Sequence, residues 1–129
     1  MNEPLPEAVE RVHRLFLRKL AAEYPDHPWL KRDDAQAAMR MTNALASVLA
    51  ERERQDVKFG EQNNDPFVYL TVLMEEVGEL AQAALHTRFG GHAAVGLRTE
   101  AVHTAAVALA IVECLDRGKW RWPGEDPAP

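Results

Sequence analysis

The 129-residue sequence has few features of secreted or membrane proteins. Its one cysteine, Cys114, cannot form a disulfide within the chain and lies in an apolar stretch, which indicates a reducing compartment or burial in a core. The wholly apolar run from Ala105 to Val112 is far shorter than the ~20 residues that a helix needs to cross a bilayer. Residues 1–6 carry an acid and two prolines where a secretory signal would carry basic residues and an apolar run. We therefore expect a cytoplasmic globular protein with no membrane partner.

An excess of basic residues is also lacking. Fifteen basic and twenty acidic residues give a formal net charge of -5, which repels a phosphate backbone, so we expect no nucleic-acid partner. No GxGxxG or Walker-type phosphate loop occurs, no internal repeat is evident, and no segment alternates apolar and polar residues as a strand would. A hydrophobic content of 47% and a charged content of 27% are typical of one soluble globular domain.

Apolar residues recur at helical spacing in four segments, which predicts an all-α, four-helix bundle-like domain. The predicted helices span about residues 9–20, 33–56, 66–89 and 97–117. Asp33 with Gln36 is typical of an N-terminal capping arrangement, and Asp65 before Pro66 predicts the start of the third helix. Gly118 predicts a left-handed end to the fourth. We divide the chain into an N-terminal helix with its proline-containing connection (1–32), a helical domain (33–120) and a flexible tail (121–129).

The fourth predicted helix is apolar on nearly every side between Ala101 and Leu115. A helix of this kind is expected where other helices surround it. Because four helices of one chain can barely enclose it, the sequence predicts a homodimer or a larger assembly built against this helix.

Three acids, Glu75, Glu76 and Glu79, lie beside the apolar stripe of the third helix. Residues three or four apart on a helix have Cβ atoms about 5–6 Å apart, and like charges at that spacing destabilise the helix by roughly 0.2–0.5 kcal/mol per pair. A divalent cation would offset this penalty. The next helix begins with Glu100 and, three residues later, His103. Magnesium and manganese favour carboxylate oxygens, so the two helices together predict a metal site.

Most acidic strings of this form are the solvated side of a surface helix, and this alternative stays open. Gly78, inside the third helix, costs about 1 kcal/mol relative to alanine, which either the close approach of a neighbour or plain packing would explain. The position of Glu100 at the head of a helix too apolar for the surface favours the metal site.

The acidic motifs resemble those of a known family. Glu75-Glu76-Val77-Gly78-Glu79 and Glu100-Ala101-Val102-His103 are similar to the EExxE and ExxD motifs of the MazG-type all-α nucleoside triphosphate pyrophosphohydrolases. Lys58-Phe59-Gly60-Glu61-Gln62 is similar to a KWGEQ-like stretch of the MazG-like branch, so the resemblance covers roughly residues 52–120. It implies the all-α fold of that family, and we expect the assembly to be a homodimer or homotetramer.

The resemblance also implies an activity, the hydrolysis of a nucleoside or deoxynucleoside triphosphate to the monophosphate and pyrophosphate, in house-cleaning of the nucleotide pool. Carried over by position, it implies that Glu76, Glu79 and Glu100 ligate Mg²⁺, with Mn²⁺ as the alternative ion, and that Glu75 orients or deprotonates an attacking water. His103, at the last position of the second motif, is the fourth candidate metal ligand. The segment from Lys58 to Asn63 would contact the base or sugar of the substrate. The alternative is that this segment only forms a turn. The substrate-binding candidates are Lys58, Gln62 and Asn63.

His103 departs from the family pattern, which has aspartate there. Imidazole is a poorer ligand for magnesium than a carboxylate is and suits softer divalent ions better. His103 can therefore ligate a softer metal, hydrogen-bond a neighbouring carboxylate or phosphate, or weaken catalysis, and the sequence favours the second and third of these over direct ligation. The alternatives to an enzyme are a nucleotide- or metal-binding regulatory module that has lost efficient chemistry, and a helical dimerisation domain with solvated acids.

Overall fold

The structure is a computed structural model that describes residues 7–31, 35–92 and 96–125. These residues form four α-helices and no strand, which confirms the all-α prediction. The helices are α1 (Glu7–Glu23), α2 (Ala35–Phe59), α3 (Pro66–Phe89) and α4 (Leu97–Arg117), and a short 3₁₀ helix (Pro28–Lys31) lies between α1 and α2. Two predictions fall on residues outside the described ranges. They are the capping at Asp33 and the outer parts of the two terminal segments, residues 1–6 and 126–129.

The chain divides into two compact units, one up to Ser47 and one from Val48 onwards. The first unit contains α1, the 3₁₀ helix and the first part of α2. Within it, the fully buried Thr42 shares a hydrogen bond of 2.9 Å between its Oγ1 and Nδ1 of His13. The second unit contains the last part of α2 together with α3 and α4, and every candidate site residue belongs to it. The predicted division at residues 32/33 and 120/121 stays a prediction.

The ends of α3 and α4 confirm the capping signals in the sequence. The Asp65 side chain accepts hydrogen bonds from the backbone N–H groups of Phe67 and Val68, at 2.9 and 3.2 Å. This satisfies two of the donors that the first helical turn leaves without a helical partner. Gly118 closes α4 at φ 66° and ψ 19°, in the left-handed region where a side chain would be strained.

The core of the second unit lies between α3 and α4. Tyr69 of α3 packs with Ala110 and Cys114 of α4, and the half-buried Ile111 and Trp120 cover this group. The Tyr69 hydroxyl donates a 2.8 Å hydrogen bond to the Gln62 carbonyl oxygen, and burial raises the pKa of this phenol. The expected burial of Cys114 is confirmed. None of the described helices is both long and apolar enough to cross a membrane.

Arg52 links α2 to α4 through its guanidinium group. The residue is only 8% exposed and donates hydrogen bonds of 2.6 Å to Glu113, 3.0 Å to Gln55 and 3.0 Å to Asp56. Replacement of Arg52 by methionine keeps much of the apolar volume but removes all three bonds. Because hydrogen bonds to charged groups each contribute about 1.5–3 kcal/mol and two partners here are partly exposed, we expect a loss of about 2–3 kcal/mol in the free energy of unfolding. Chemical denaturation with urea measures this loss, and an unchanged midpoint would contradict the structural role of Arg52.

Helix α4 carries apolar residues both on its buried side and on an exposed side. One side, formed by Glu100, Ala106, Val107, Ala110 and Cys114, is buried within the chain. On the other side a stripe of apolar residues at intervals of three and four is exposed; we call it the α4 stripe. The α4 stripe consists of Ala101, Ala105, Ala108, Val112 and Leu115.

The expectation of a close neighbour at Gly78 is wrong within the part of the chain that the structure describes. A Cβ atom at this position would meet no atom of the described residues within 4 Å, and the residue is exposed. Gly78 therefore serves no packing contact among the described residues.

Candidate metal centre

Three predicted metal ligands converge where α3 meets the first turns of α4. One potential ligand atom each from Glu76, Glu100 and His103 lies within 4.8 Å of the others. Nδ1 of His103 is 3.4 Å from Oε2 of Glu100 and 4.0 Å from Oε2 of Glu76. Since Glu100 and His103 are one turn apart on α4, their side chains project together toward Glu76 on α3, which packs against α4.

One oxygen of each carboxylate in this trio is buried and lacks a donor among the described residues. Oε2 of Glu76 and Oε2 of Glu100 have no hydrogen-bond partner among the described residues. Glu100 is only 6% exposed, and Nδ1 of His103 lies 3.4 Å from its Oε2. A buried polar group without a partner costs free energy comparable to a lost hydrogen bond, so most such groups in proteins are satisfied. A divalent cation between these oxygens and Nδ1 of His103 would remove the deficit, and the donor set fits a divalent metal ion.

The electrostatics of Glu76 agree with this arrangement. Burial raises the pKa of its carboxyl, the neighbouring negative charge of Glu79 raises it further, and His103 partly offsets both. A group whose charged form is disfavoured by burial and by like charges would be stabilised by a nearby cation.

α2 contributes a fourth carboxylate, Glu51, on the far side of the imidazole. Oε1 of Glu51 is 3.8 Å from Nε2 of His103. Arg54, one turn later, donates hydrogen bonds of 2.8 and 2.6 Å to the two oxygens of Glu51 and thereby lowers the pKa of this carboxyl. The two ring nitrogens of His103 thus face carboxylates from different helices.

A cleft of about 260 Å³ opens beside the trio. Glu76 and His103 lie in its wall, which also includes four cationic side chains, Arg52, Arg54, Lys58 and Arg117. Its apolar lining comes from aromatic and aliphatic side chains of the second unit. These are Phe59, Tyr69, Val72, Val107 and Ala110. Pockets for small ligands commonly have volumes of roughly 300–1,000 Å³, and the cleft lies just below that range.

The other predicted ligands lie at the edge of the trio. Glu75 and Glu79 are exposed, and neither belongs to the group whose ligand atoms are within 4.8 Å of one another. Both charges are close enough to raise the pKa of Glu76. Their predicted roles, as water base and as metal ligand, stay predictions.

The predicted substrate-binding residues separate into two environments. Lys58 and Gln62 line the cleft. Asn63 instead accepts a 3.1 Å hydrogen bond from Arg117 and donates one of 3.2 Å to Glu61, so it fixes the segment between α2 and α3 against the end of α4. This agrees with the turn-forming alternative for Asn63.

Sequence reasoning missed Glu51, Arg54 and Arg117. The sequence did contain a signal that Glu51 is partly buried. Glu51, Arg52 and Gln55 follow Val48 at helical spacing and continue the buried side of α2. Polar residues on the buried side of a helix need partners, and here those partners come from α4. Arg117, at the end of α4, gave no comparable signal.

No family model, curated protein or solved structure matches the chain. The resemblance to the MazG-type enzymes therefore depends on the two acidic motifs, the segment Lys58-Phe59-Gly60-Glu61-Gln62 and their order along the chain.

Proposed function

We propose that this protein is a divalent-metal-dependent nucleoside triphosphate pyrophosphohydrolase. The observation that supports this best is the convergence of Glu76, Glu100 and His103 at the wall of a cleft with cationic side chains. Two buried carboxylate oxygens of this trio have no donor in the described part of the chain. A metal site next to positive charge suits a substrate that carries several phosphate groups.

In this proposal Glu76, Glu100 and His103 hold the cation, and exposed Glu79 completes the ligand set from the solvent side. A bound divalent ion supplies neutralisation of phosphate charge and makes bound water more acidic. Glu75, exposed one residue before Glu76, accepts a proton from the water that adds across the α–β phosphoanhydride bond. The products are the nucleoside monophosphate and pyrophosphate.

The cationic lining of the cleft has a separate task, which is to bind and orient the phosphate chain. Lys58 and Arg117 have side chains in the wall, and Arg54 carries its charge beside Glu51. Phe59, whose ring lies 4.9 Å from the Lys58 ammonium, provides an apolar surface, and the Gln62 amide offers donors and acceptors to a base or sugar.

The activity is tested by pyrophosphate release from a panel of ribo- and deoxynucleoside triphosphates, canonical and oxidised, with Mg²⁺ or Mn²⁺. We expect cleavage of at least one triphosphate to monophosphate and pyrophosphate. Glu53→Gln, an exposed carboxylate on α2, serves as the control and should cleave at the wild-type rate. Metal binding without cleavage of any triphosphate would reject the hydrolase and favour the regulatory module. Absence of both would favour a dimerisation domain.

We also propose that a second copy of the chain covers the α4 stripe. Val112 and Leu115 are 53% and 47% exposed, and the stripe repeats at intervals of three and four residues as in helix pairs that pack along their length. An apolar helical face of this kind is stable in water when a partner buries it.

Replacement of Val112 by glutamate is expected to shift the protein from dimer or tetramer to monomer, because the charge would be desolvated in the interface. Multi-angle light scattering at micromolar concentration measures the mass. The matched control is Val57→Glu, which changes an apolar residue that is 83% exposed at the end of α2 and should leave the mass unchanged. A monomeric wild-type protein would contradict the proposed assembly.

A further inference from the structure

His103 lies between carboxylates on both sides of its ring. Nδ1 faces Glu100 at 3.4 Å and Glu76 at 4.0 Å, whereas Nε2 faces Glu51 at 3.8 Å. The three carboxylates come from α4, α3 and α2, so the imidazole faces a carboxylate from each helix of the second unit.

Glu51 is held in place independently of His103. Its side chain is only 10% exposed, and both of its oxygens accept hydrogen bonds from Arg54. A carboxylate bound by a guanidinium fork has a defined direction, because two parallel bonds fix both its distance and its plane. Glu51 therefore presents a fixed negative group to the outer edge of the imidazole.

We propose that Glu51 is a positioning residue that aims Nδ1 of His103 at the cation, and that the resulting two-carboxylate, one-imidazole set binds first-row transition ions more tightly than magnesium. This inference depends on the metal site of the proposed function, but not on the cleavage of a triphosphate.

The role of Glu51 follows from how imidazole binds metals. A histidine that ligates through one nitrogen nearly always donates the N–H of its other nitrogen to a carboxylate, a carbonyl or water, and this partner fixes the tautomer and the ring orientation. When Nδ1 is the ligand, Nε2 carries the proton, and Glu51 is the carboxylate on that side. We expect the 3.8 Å separation between Nε2 of His103 and Oε1 of Glu51 to shorten to a hydrogen bond when the cation binds, because catalytic sites often tighten around their ligands.

The ion preference follows from the donor atoms. Carboxylate and water oxygens are the preferred ligands of magnesium, and imidazole nitrogen is favoured by transition ions. With His103 in the set, Mn²⁺ and Co²⁺ gain a nitrogen donor that Mg²⁺ binds poorly. The orientation of the His103 ring determines how strongly its nitrogen binds these ions. Because Glu51 fixes that orientation, the preference for transition ions depends on Glu51.

The test is a calorimetric titration of the full-length protein with Mn²⁺, Co²⁺ and Mg²⁺ in the absence of nucleotide. We expect Mn²⁺ and Co²⁺ to bind more tightly than Mg²⁺, and Glu51→Gln to weaken Mn²⁺ and Co²⁺ binding by about 10- to 100-fold, the range typical of lost outer partners of metal ligands. The control Glu53→Gln should bind as the wild type does. Equal affinity of Glu51→Gln and wild type for Co²⁺ would overturn the role of Glu51.

A spectroscopic measurement separates positioning from a general loss of structure. Pulsed electron paramagnetic resonance of bound Mn²⁺ should show coupling to an imidazole ¹⁴N in the wild-type protein and none in His103→Asp, which should also bind Mg²⁺ more tightly than the wild type does. If Glu51→Gln does not fold, Arg54→Gln serves as the second variant. It keeps Glu51 but removes the two hydrogen bonds from the Arg54 guanidinium, and it should weaken the nitrogen coupling. An absent nitrogen signal in the wild type would overturn ligation by His103. Tight Co²⁺ binding with no cleavage of any triphosphate would reject the proposed hydrolase and leave this inference intact.

Discussion

Replacement of Glu100 by glutamine is expected to lower the rate of metal-dependent triphosphate cleavage by at least about 100-fold. This is the lower end of the range observed when an enzyme loses one group that stabilises charge in the transition state. Glu100 is the most buried of the three converging ligands, and glutamine keeps its shape but removes the negative charge. The rate of pyrophosphate release at saturating Mn²⁺ measures the effect.

The same substitution should act in the opposite direction on the stability of the metal-free chain. Oε2 of Glu100 is buried without a donor among the described residues, and an amide NH₂ at this position can donate to the nearby Glu76 carboxylate. We expect the free energy of unfolding without metal to rise by about 1–3 kcal/mol, the usual cost of an unsatisfied buried group. A variant that is less stable without metal and equally active with it would show that Glu100 is a structural residue.

Replacement of Tyr69 by alanine is expected to lower the free energy of unfolding by about 3–5 kcal/mol, the range for removing a large buried aromatic ring. Tyr69 is the largest member of the core group with Ala110 and Cys114, and no other described side chain of that group can fill its volume. Urea denaturation followed by circular dichroism measures this change.

The control for Tyr69 is phenylalanine, which keeps the ring and removes only the hydroxyl that donates to the Gln62 carbonyl. This change should cost about 0.5–1.5 kcal/mol, the net contribution of one hydrogen bond. Equal losses for the alanine and phenylalanine variants would mean that the bond to the segment between α2 and α3, and not the packed ring, stabilises the unit.

The sequence predicts the helices of this protein well because their ends are marked by local chemistry. Asp65 caps α3 with its own side chain, and Gly118 ends α4 in a conformation that other residues avoid. These signals depend on residues within one turn of each other, so no knowledge of the tertiary fold is needed to interpret them.

The metal centre is only partly predictable because its members come from three helices. The spacing of Glu100 and His103 shows that they share a face of α4, and the family resemblance pairs them with Glu76. Nothing local indicates that Glu51 approaches His103 from α2, because that contact joins residues 52 positions apart. Contacts of this kind depend on how the helices pack.

Gly78 and the α4 stripe show the same limit in the opposite direction. The sequence indicates close packing at Gly78 and a surrounded α4. Among the residues that the structure describes, a Cβ at Gly78 would meet no atom within 4 Å, and one side of α4 is exposed. The hydrophobic pattern of a sequence shows which helix faces are apolar. It does not show whether such a face packs against the same chain or against a second copy of it.

The most direct test of the metal centre is a crystal structure of the full-length protein grown with Mn²⁺, with diffraction data collected at the manganese absorption edge. A single anomalous peak within bonding distance of Glu76, Glu100 and Nδ1 of His103 is the expected result. A map with no peak between these three side chains at saturating Mn²⁺, or a peak only at carboxylates elsewhere on the surface, would contradict the proposed centre and the chemistry based on it.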